Sequence, residues 1–497
     1  MANACYENLN HSFLFPPSLP SSNIFLPLLT GSSQALKWIP NLGFTLEQFN
    51  LRAIRMKIME RIPSYLRETI SSIQQLSTSE LALYISLVLG TYVLLVRSLR
   101  YRRINQLEAH YNYRTRASMA KMTDHEAWEI QRAMAQYEFP FTVEKSLQFA
   151  LFRTYGIPTI SSTLMKTKQF SNNMYSGKRY VDTCVLIGEF IVHSPATVRS
   201  RIGLARTKYL HNGYRKSGSV REEDMLYTLS LFATEPIRFI NLYEWRSATD
   251  LERCAMGVFW KSVGDALGID YAAFLPSAKA AAESGNTNGT PASGYTDGIH
   301  WLEEITTWAQ EYEKKAMVSA QTNRDTADQT TAILTYALPR PFKFIGNWFV
   351  SSMMDDRLRN AMLYPRAPRV VENMFWLAFE ARKLFLQNLC LPRPEFMRHV
   401  AFTEKPDRQT GAYHVTNWTA EPFYVKPTLW NRWLSPSAIV ARIMRFPLPG
   451  DQGDKYHPQG YDLRDMGPKQ FERKGKDYLE REMKTMEKER TGQCPFL

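Results

Sequence analysis

Hydrophobic and polar positions alternate along this chain with a helical rhythm, and one run breaks it. LALYISLVLGTYVLLV, Leu81–Val96, holds no charge over sixteen residues and is bounded by Glu80 and Arg97. A membrane-spanning helix needs about 20 such residues. Ser98 and Leu99 extend the run if the Arg97 stem lies along the apolar surface with its head in water, and Ser77–Ser79 continue it on the other side. A single transmembrane helix over 81–99 and a buried core helix both fit this length. The flank favours the span: RSLRYRR follows at once, with Arg97, Arg100, Arg102 and Arg103. Arginines just after a lone span hold that side in the cytosol. Residues 1–80 then form a lumenal segment. The start MANACYENLN lacks a basic region and the apolar run comes too late for a cleaved signal peptide.

Beyond residue 104 apolar positions recur at spacings of three and four, which predicts helices. DHEAWEIQRAMAQYEF opens on Asp124 as a helix cap. YVDTCVLIGEFIV, LERCAMGVFWKSVGDAL, IHWLEEITTWAQEYEKKAM, DDRLRNAML and ENMFWLAFEARKLFLQNL continue the pattern. Alternating strand patterns with hairpin dipeptides are scarce, so the fold class is all-α. SGNTNGTPASG marks a flexible loop at 280–297 inside a helical domain of 104–430. After about 420 the chain turns proline- and aromatic-rich and ends in REMKTMEKER, so 431–497 reads as a C-terminal extension.

Composition narrows the partners. The net charge of +13 points to an anionic surface. No zinc finger, RNA-recognition signature or dense basic block supports nucleic acid, which leaves a membrane surface. Cys5, Cys184, Cys254, Cys390 and Cys494 share no short spacing. They form neither a metal motif nor a disulfide framework, and a reducing compartment follows.

Motifs for zinc hydrolases, di-iron carboxylates, nucleophile elbows and nucleotide loops are absent. What remains is chemistry that needs few protein groups, such as that of a haem enzyme. Three candidates stand out. His211 lies in RTKYLHNGYRKSG, Arg206–Gly218. On a helix, Val198, Ile202, Ala205 and Tyr209 form one apolar stripe, and His211 falls roughly 120° off its centre, near Leu204. That suits a helix wedged between a core and a cofactor pocket, and it suits an exposed histidine equally. Arg179 and Thr183 are four apart on one helix face, where a guanidinium beside a hydroxyl can hold dioxygen-derived or carboxylate groups. A solvated helix start is the plainer reading. Glu189 and His193 form an i,i+4 pair, open to a non-haem metal or to a simple hydrogen bond.

The phrases FALFRTYGIPTIS, KRYVDTCVLIGEF, LYTLSLFATEPIRFI, GVFWKSVGDALGI, MMDDRLRNAMLY, PFYVKPTLWNRW and ERTGQCPF resemble those of the MpaB-type oxygenases of fungal meroterpenoid biosynthesis. These are endoplasmic-reticulum-bound proteins related to bacterial latex-clearing rubber oxygenases. The resemblance covers nearly all of the chain after residue 100. It implies a membrane anchor followed by a helical, rubber-oxygenase-like catalytic domain with haem b. It implies His211 as the iron ligand, since a histidine some thirty residues after an Arg-x-x-x-Thr motif has that role in the rubber enzymes. It implies Arg179 and Thr183 as polar contacts on the catalytic side, with Arg206 a further cofactor-binding candidate. Asp182 stands where the rubber enzymes carry a lysine, and no general base has a counterpart. The expected activity is cleavage of a carbon–carbon double bond by dioxygen in a prenylated, lipophilic substrate, as in mycophenolic acid formation. The enzyme would sit in the endoplasmic reticulum membrane with its catalytic domain cytosolic. A non-haem iron oxygenase using Glu189 and His193, and a non-catalytic carrier of isoprenoid intermediates, are the alternatives.

The topology is directly testable. Sequons Asn288-Gly-Thr and Asn417-Trp-Thr should remain unglycosylated in the cytosol, whereas Asn10-His-Ser is open to modification. A glycosidase-sensitive mass shift abolished by Asn288→Gln or Asn417→Gln would reverse the orientation.

Overall fold

The computed structural model describes residue 63 and residues 76–167, 173–284, 293–336, 338–418, 421–490 and 492–496. Contacts divide the described residues into two units at Leu95/Val96. Most of the segment 1–80 and the centre of the loop at 280–297 lie outside the described residues.

In the first unit, helix α1 (Thr78–Tyr111, 34 residues) is preceded by Ser77, whose Oγ accepts the Glu80 N–H at 3.3 Å. Ser77 donates its backbone N–H and its hydroxyl to the Glu80 carboxylate at 2.8 and 2.7 Å. Leu83, Leu87, Val88 and Leu94 stand exposed on the apolar stretch. A core helix would bury them, so exposure on all sides marks a candidate membrane anchor. The predicted span at 81–99 falls inside this helix.

The second unit starts on the same helix, where the arginines become structural. Arg97 Nε donates to Asn388 Oδ1 at 2.8 Å, Arg100 Nε to the Cys390 carbonyl at 2.8 Å, and Arg103 Nη1 to Glu138 Oε1 at 2.7 Å. The domain is built from α2 (Asp124–Ala133), α3 (Pro140–Thr154), α4 (Pro158–Lys166), α5 (Asn173–Val192), α6 (Val198–Lys216), α7 (Glu222–Tyr243), α8 (Asp250–Leu267), α9 (Gly298–Ala316) and α10 (Gln321–Leu334). No strand occurs among the described residues. Phe402–Val415 and Tyr413–Tyr461 form isolated bridges.

Local sequence sets the helix ends. Thr123, not Asp124, caps α2 in a reciprocal box with Glu126. Asp124 is buried instead, and its carboxylate accepts the Gly492 N–H at 3.0 Å. Thr249 and Glu252 make the same box for α8, which stops at Gly268 with φ of 69°. Helix α8 is the centre of the main core: Leu251, Cys254, Val258, Phe259, Trp260 and Val263 are all buried. It packs on α2, α7 and α9, while α7 lies along α3.

The chain continues through α11 (Lys343–Met353), α12 (Asp356–Ala361), α13 (Arg369–Leu389), α14 (Pro436–Ile443) and α15 (Lys476–Glu489). Residues 431–497, expected as an extension, belong to the same unit as the helical domain. Helix α15 packs on α6, Phe496 is buried in the main core, and the Gln493 carbonyl accepts the Asp124 N–H at 2.9 Å.

Close approach of α8 and α9 depends on two glycines. A Cβ on Gly257 would lie 2.0 Å from the Gly298 carbonyl oxygen, and one on Gly298 2.3 Å from that of Cys254. Backbone cannot yield as a side chain end can. Gly257→Ala should lower stability by about 1–3 kcal/mol, the usual cost of overpacking. Thermal denaturation checks this, and an unchanged midpoint would show that the helices can separate freely.

Candidate functional site

Helices α5 and α6 form an antiparallel hairpin closed at 193–197. Arg179 and His211 lie sixteen residues on either side of Pro195, so the hairpin itself carries them to the same level. At the closed end Arg199 forks onto Glu189, Nε to Oε2 and Nη2 to Oε1, both at 2.6 Å. One turn further, Gly203 lies against Glu189 and the Leu186 carbonyl, where a Cβ would be 3.4 and 3.5 Å away. Two more turns reach Thr207 and His211 on one strand of the hairpin, Thr183 and Arg179 on the other. Electrostatics report the meeting, because Arg179 is one of the charges that disfavour protonation of His211.

Helix α6 is buried on nearly every side from Arg199 to Arg206. Leu204 and Ala205 belong to the main core, while Ile202 and Leu210 belong to a second core with Val185, Phe402 and Tyr424. Val198, placed on the apolar stripe by its spacing, is exposed at the first turn. The helix is therefore wedged between two apolar regions, and His211 emerges half-buried beyond both.

The His211 ring has a defined chemical form. Nδ1 lies 2.8 Å from the Thr207 carbonyl oxygen, which can only accept, so Nδ1 carries the proton. Nε2 has no hydrogen-bond partner among the described residues and keeps its lone pair. Burial holds the imidazole below its ordinary pKa. The Thr207 bond opposes this, and the charges of Arg179 and Arg215 reinforce it. A neutral imidazole, oriented through one nitrogen and free at the other, is the form in which histidine binds a metal.

Arg179 is the second unusual group. Burial lowers its pKa, Asp182 counters, and its side chain has no hydrogen bond or ion pair among the described residues. Asp182 does not neutralise it directly. Lys178 Nζ donates to Asp182 Oδ2 at 2.8 Å and the Tyr424 hydroxyl to Oδ1 at 2.7 Å. Arg179 is half-buried, and a guanidinium held partly away from water without a paired anion is costly unless a ligand completes it. Thr183 donates its hydroxyl to the Arg179 carbonyl at 2.9 Å, which leaves the Thr183 oxygen free to accept. Tyr155 and Tyr214 lie within electrostatic reach of Arg179. Tyr155, whose hydroxyl engages Thr330, is pushed up to about 12 by burial, and so is the Cys184 thiol. Sequence reasoning missed both tyrosines. No spacing marks them, although Tyr155 sits in one of the phrases quoted above.

The other candidates lie elsewhere. Glu189 is fully buried; burial works to raise its pKa, but bonds from His193, Arg199 and Tyr461 hold it below the usual range. His193 Nε2 is 3.3 Å from Glu189 Oε2. With Arg199 and the Tyr461 hydroxyl on the same carboxylate, the pair is a structural ion cluster, and the guanidinium repels any cation placed there. Among the described residues no three His, Cys, Asp or Glu side chains form a metal-holding group. Arg206 also points elsewhere. It is fully buried and donates to three carbonyls, Met466 at 2.8 Å, Phe471 at 2.9 Å and Lys474 at 3.0 Å. Its guanidinium is committed to the C-terminal chain.

Arg206→Met should orphan those three carbonyls and loosen residues 464–476. Limited trypsin digestion should then cut at Arg464, Lys469 or Lys474 several-fold faster than in the parent. Equal cleavage would mean that the segment is held by other contacts.

No family model matches the chain. Individual relatives do. It is 47% identical over 435 residues to the ER-bound oxygenase MpaB′ of Penicillium brevicompactum, covering 88% of this chain and 99% of that protein. It is 43% identical over 411 residues to the ER-bound oxygenase MpaB of the same species, covering 82% and 93%. Over 277 residues it is 55% identical to the ER-bound oxygenase MpaB of Penicillium roqueforti strain FM164, covering 56% and 88%. Identity at this level across most of both chains, together with the helical fold and the exposed apolar helix, shows that the chain belongs to the MpaB-type oxygenases.

Proposed function

We propose that this oxygenase is a single-pass endoplasmic reticulum protein whose cytosolic domain uses haem b, held by His211, to cleave a double bond in a prenyl side chain with dioxygen. The substrate class is a farnesylated aromatic intermediate of a fungal meroterpenoid pathway of the mycophenolic acid type. The observation that carries the reading is the pair at the open end of the α5–α6 hairpin: a neutral His211 whose Nε2 has no partner among the described residues, within electrostatic reach of a half-buried Arg179 that has no paired anion among them.

These residues fit a haem. Nε2 would hold the iron, and the Thr207 carbonyl on Nδ1–H would set the ring orientation and strengthen the donor. When bound, the haem supplies the dioxygen and one-electron chemistry that side chains lack. Arg179 contributes a fixed positive charge that favours negative charge developing on oxygen or on a carboxylate. Thr183, its proton committed to the Arg179 carbonyl, accepts a hydrogen bond from a protonated oxygen. Tyr155 and Tyr214 help to exclude water. The ER-bound names of the relatives and the exposed helix α1 support a membrane location, and Arg97–Arg103 support the cytosolic side. A non-haem iron site at Glu189 and His193 has less support, since Arg199 occupies that carboxylate. A carrier role remains the outcome if no oxygen is incorporated.

An absorption spectrum of the purified chain should contain an intense Soret band. His211→Ala should abolish that band while helical content is retained, and Arg179→Gln should keep it and lose turnover by at least about tenfold. Supplied with labelled dioxygen and a farnesylated aromatic, the parent enzyme should place one labelled atom in each fragment. Shortening the prenyl chain by one isoprene unit removes several methylenes at about 0.8 kcal/mol each and should weaken binding by at least about tenfold. A full Soret band in His211→Ala would reject this ligand; label in neither fragment would reject the cleavage.

A further inference from the structure

The catalytic unit has apolar surface that its own fold does not cover. Helix α13 is 21 residues long and buries Leu386 alone. Val370, Met374, Leu377 and Leu384 recur at spacings of four, three and seven, one face of the helix, and each is more than 60% exposed. Trp376 is 64% exposed beside them. On α11, Phe344 and Ile345 are exposed, and Phe349 joins the two helices by packing on Phe375 with ring centroids 4.9 Å apart. A third segment, 429–443, exposes Trp430, Leu434 and Ile443, and three residues beyond it Phe446 packs against Tyr336 in the chain leading into α11, 4.8 Å between centroids. A monomer in water rarely leaves so much contiguous apolar surface uncovered.

Two observations choose the occupant. Arg97, the first charged residue after the apolar run of α1, is bonded to Asn388 at the end of α13, and Arg100 is bonded to the Cys390 carbonyl just beyond it. The first residues after the apolar run and the end of the exposed helix are thus bonded within one unit, and Leu389 and Leu391 are exposed beside them. The surroundings are also basic. Arg340, Lys343 and Arg369 flank the exposed residues and have no ion pair among the described residues, which suits anionic headgroups. Tryptophan and leucine facing outward, with arginine and lysine at the margins, is the composition of a helix lying in a membrane interface.

We propose that α11, α13 and residues 429–443 form a second membrane-contacting surface. It would rest in the acyl-chain border of an anionic leaflet and hold the catalytic unit against the bilayer independently of the spanning helix. This rests on the chain being membrane-bound, and not on the haem or the reaction. A lipophilic substrate would then reach the domain from within the membrane.

The test uses the full chain in vesicles of phosphatidylcholine and phosphatidylserine, with p-benzoylphenylalanine replacing Leu377, Leu434 or Ile443 in turn. All three are exposed, so folding is not at issue. After irradiation, mass spectrometry should find lipid adducts at each position and none at Val198, an exposed residue at the start of α6. The same probe at Leu87 reports the spanning helix separately. Adducts at the three positions but not at Leu87 would support this surface and count against the span. Adducts at Leu87 alone would overturn the proposal, as would cross-links from the three positions to a second copy of the chain.

Discussion

The fork of Arg199 onto Glu189, buried at the closed end of the α5–α6 hairpin, sets the register on which the site depends. A buried ion pair is expensive to form, since both ions leave water, but removing one partner strands the other. The pair therefore acts as a register pin more than as a source of stability. From it the antiparallel geometry runs turn by turn to Arg179 and His211, each sixteen residues from Pro195. Slippage by one turn would move the guanidinium about 5.4 Å along the imidazole helix.

The hairpin is itself held by the C-terminal chain. Arg206 gathers three carbonyls of the segment 466–474, Lys208 pairs with Glu482 at 2.6 Å, and Arg201 with Glu487 at 3.0 Å. The last residues then return to the start of α2 through Asp124. The basic character of α6 is largely spent on this clasp, so its charge is internal glue and not a surface for anions. On α5, by contrast, Arg179 has no paired anion among the described residues where the two helices open.

The same division explains the membrane side. Charges near the anchor are paired into the domain, whereas apolar side chains on α11 and α13 are left outward. Under the proposed function such an arrangement would keep the domain beside the bilayer, where a lipophilic substrate concentrates.

Much of this was legible in the residues. Helix positions followed from the spacing of apolar residues and the candidate anchor from sixteen uncharged positions, while the family phrases singled out Arg179 and His211. Local patterning reports these because each depends on neighbours within a few turns. Other features were decided only by packing. Arg206, five residues before His211, points to a different side of α6 and meets a segment more than 250 residues away. Glu189 and His193 look like a ligand pair until Arg199 and Tyr461 fold onto the carboxylate. Asp182 directly precedes Thr183 in the sequence, yet its carboxylate bonds to Tyr424 of the second core and to Lys178. Residues 431–497 read as an appendage by composition, and only their long-range bonds make them part of the domain. Sequence determined which groups each helix could offer; the tertiary fold decided which would be neutralised and which left free, because partners for buried charge come from anywhere in the chain.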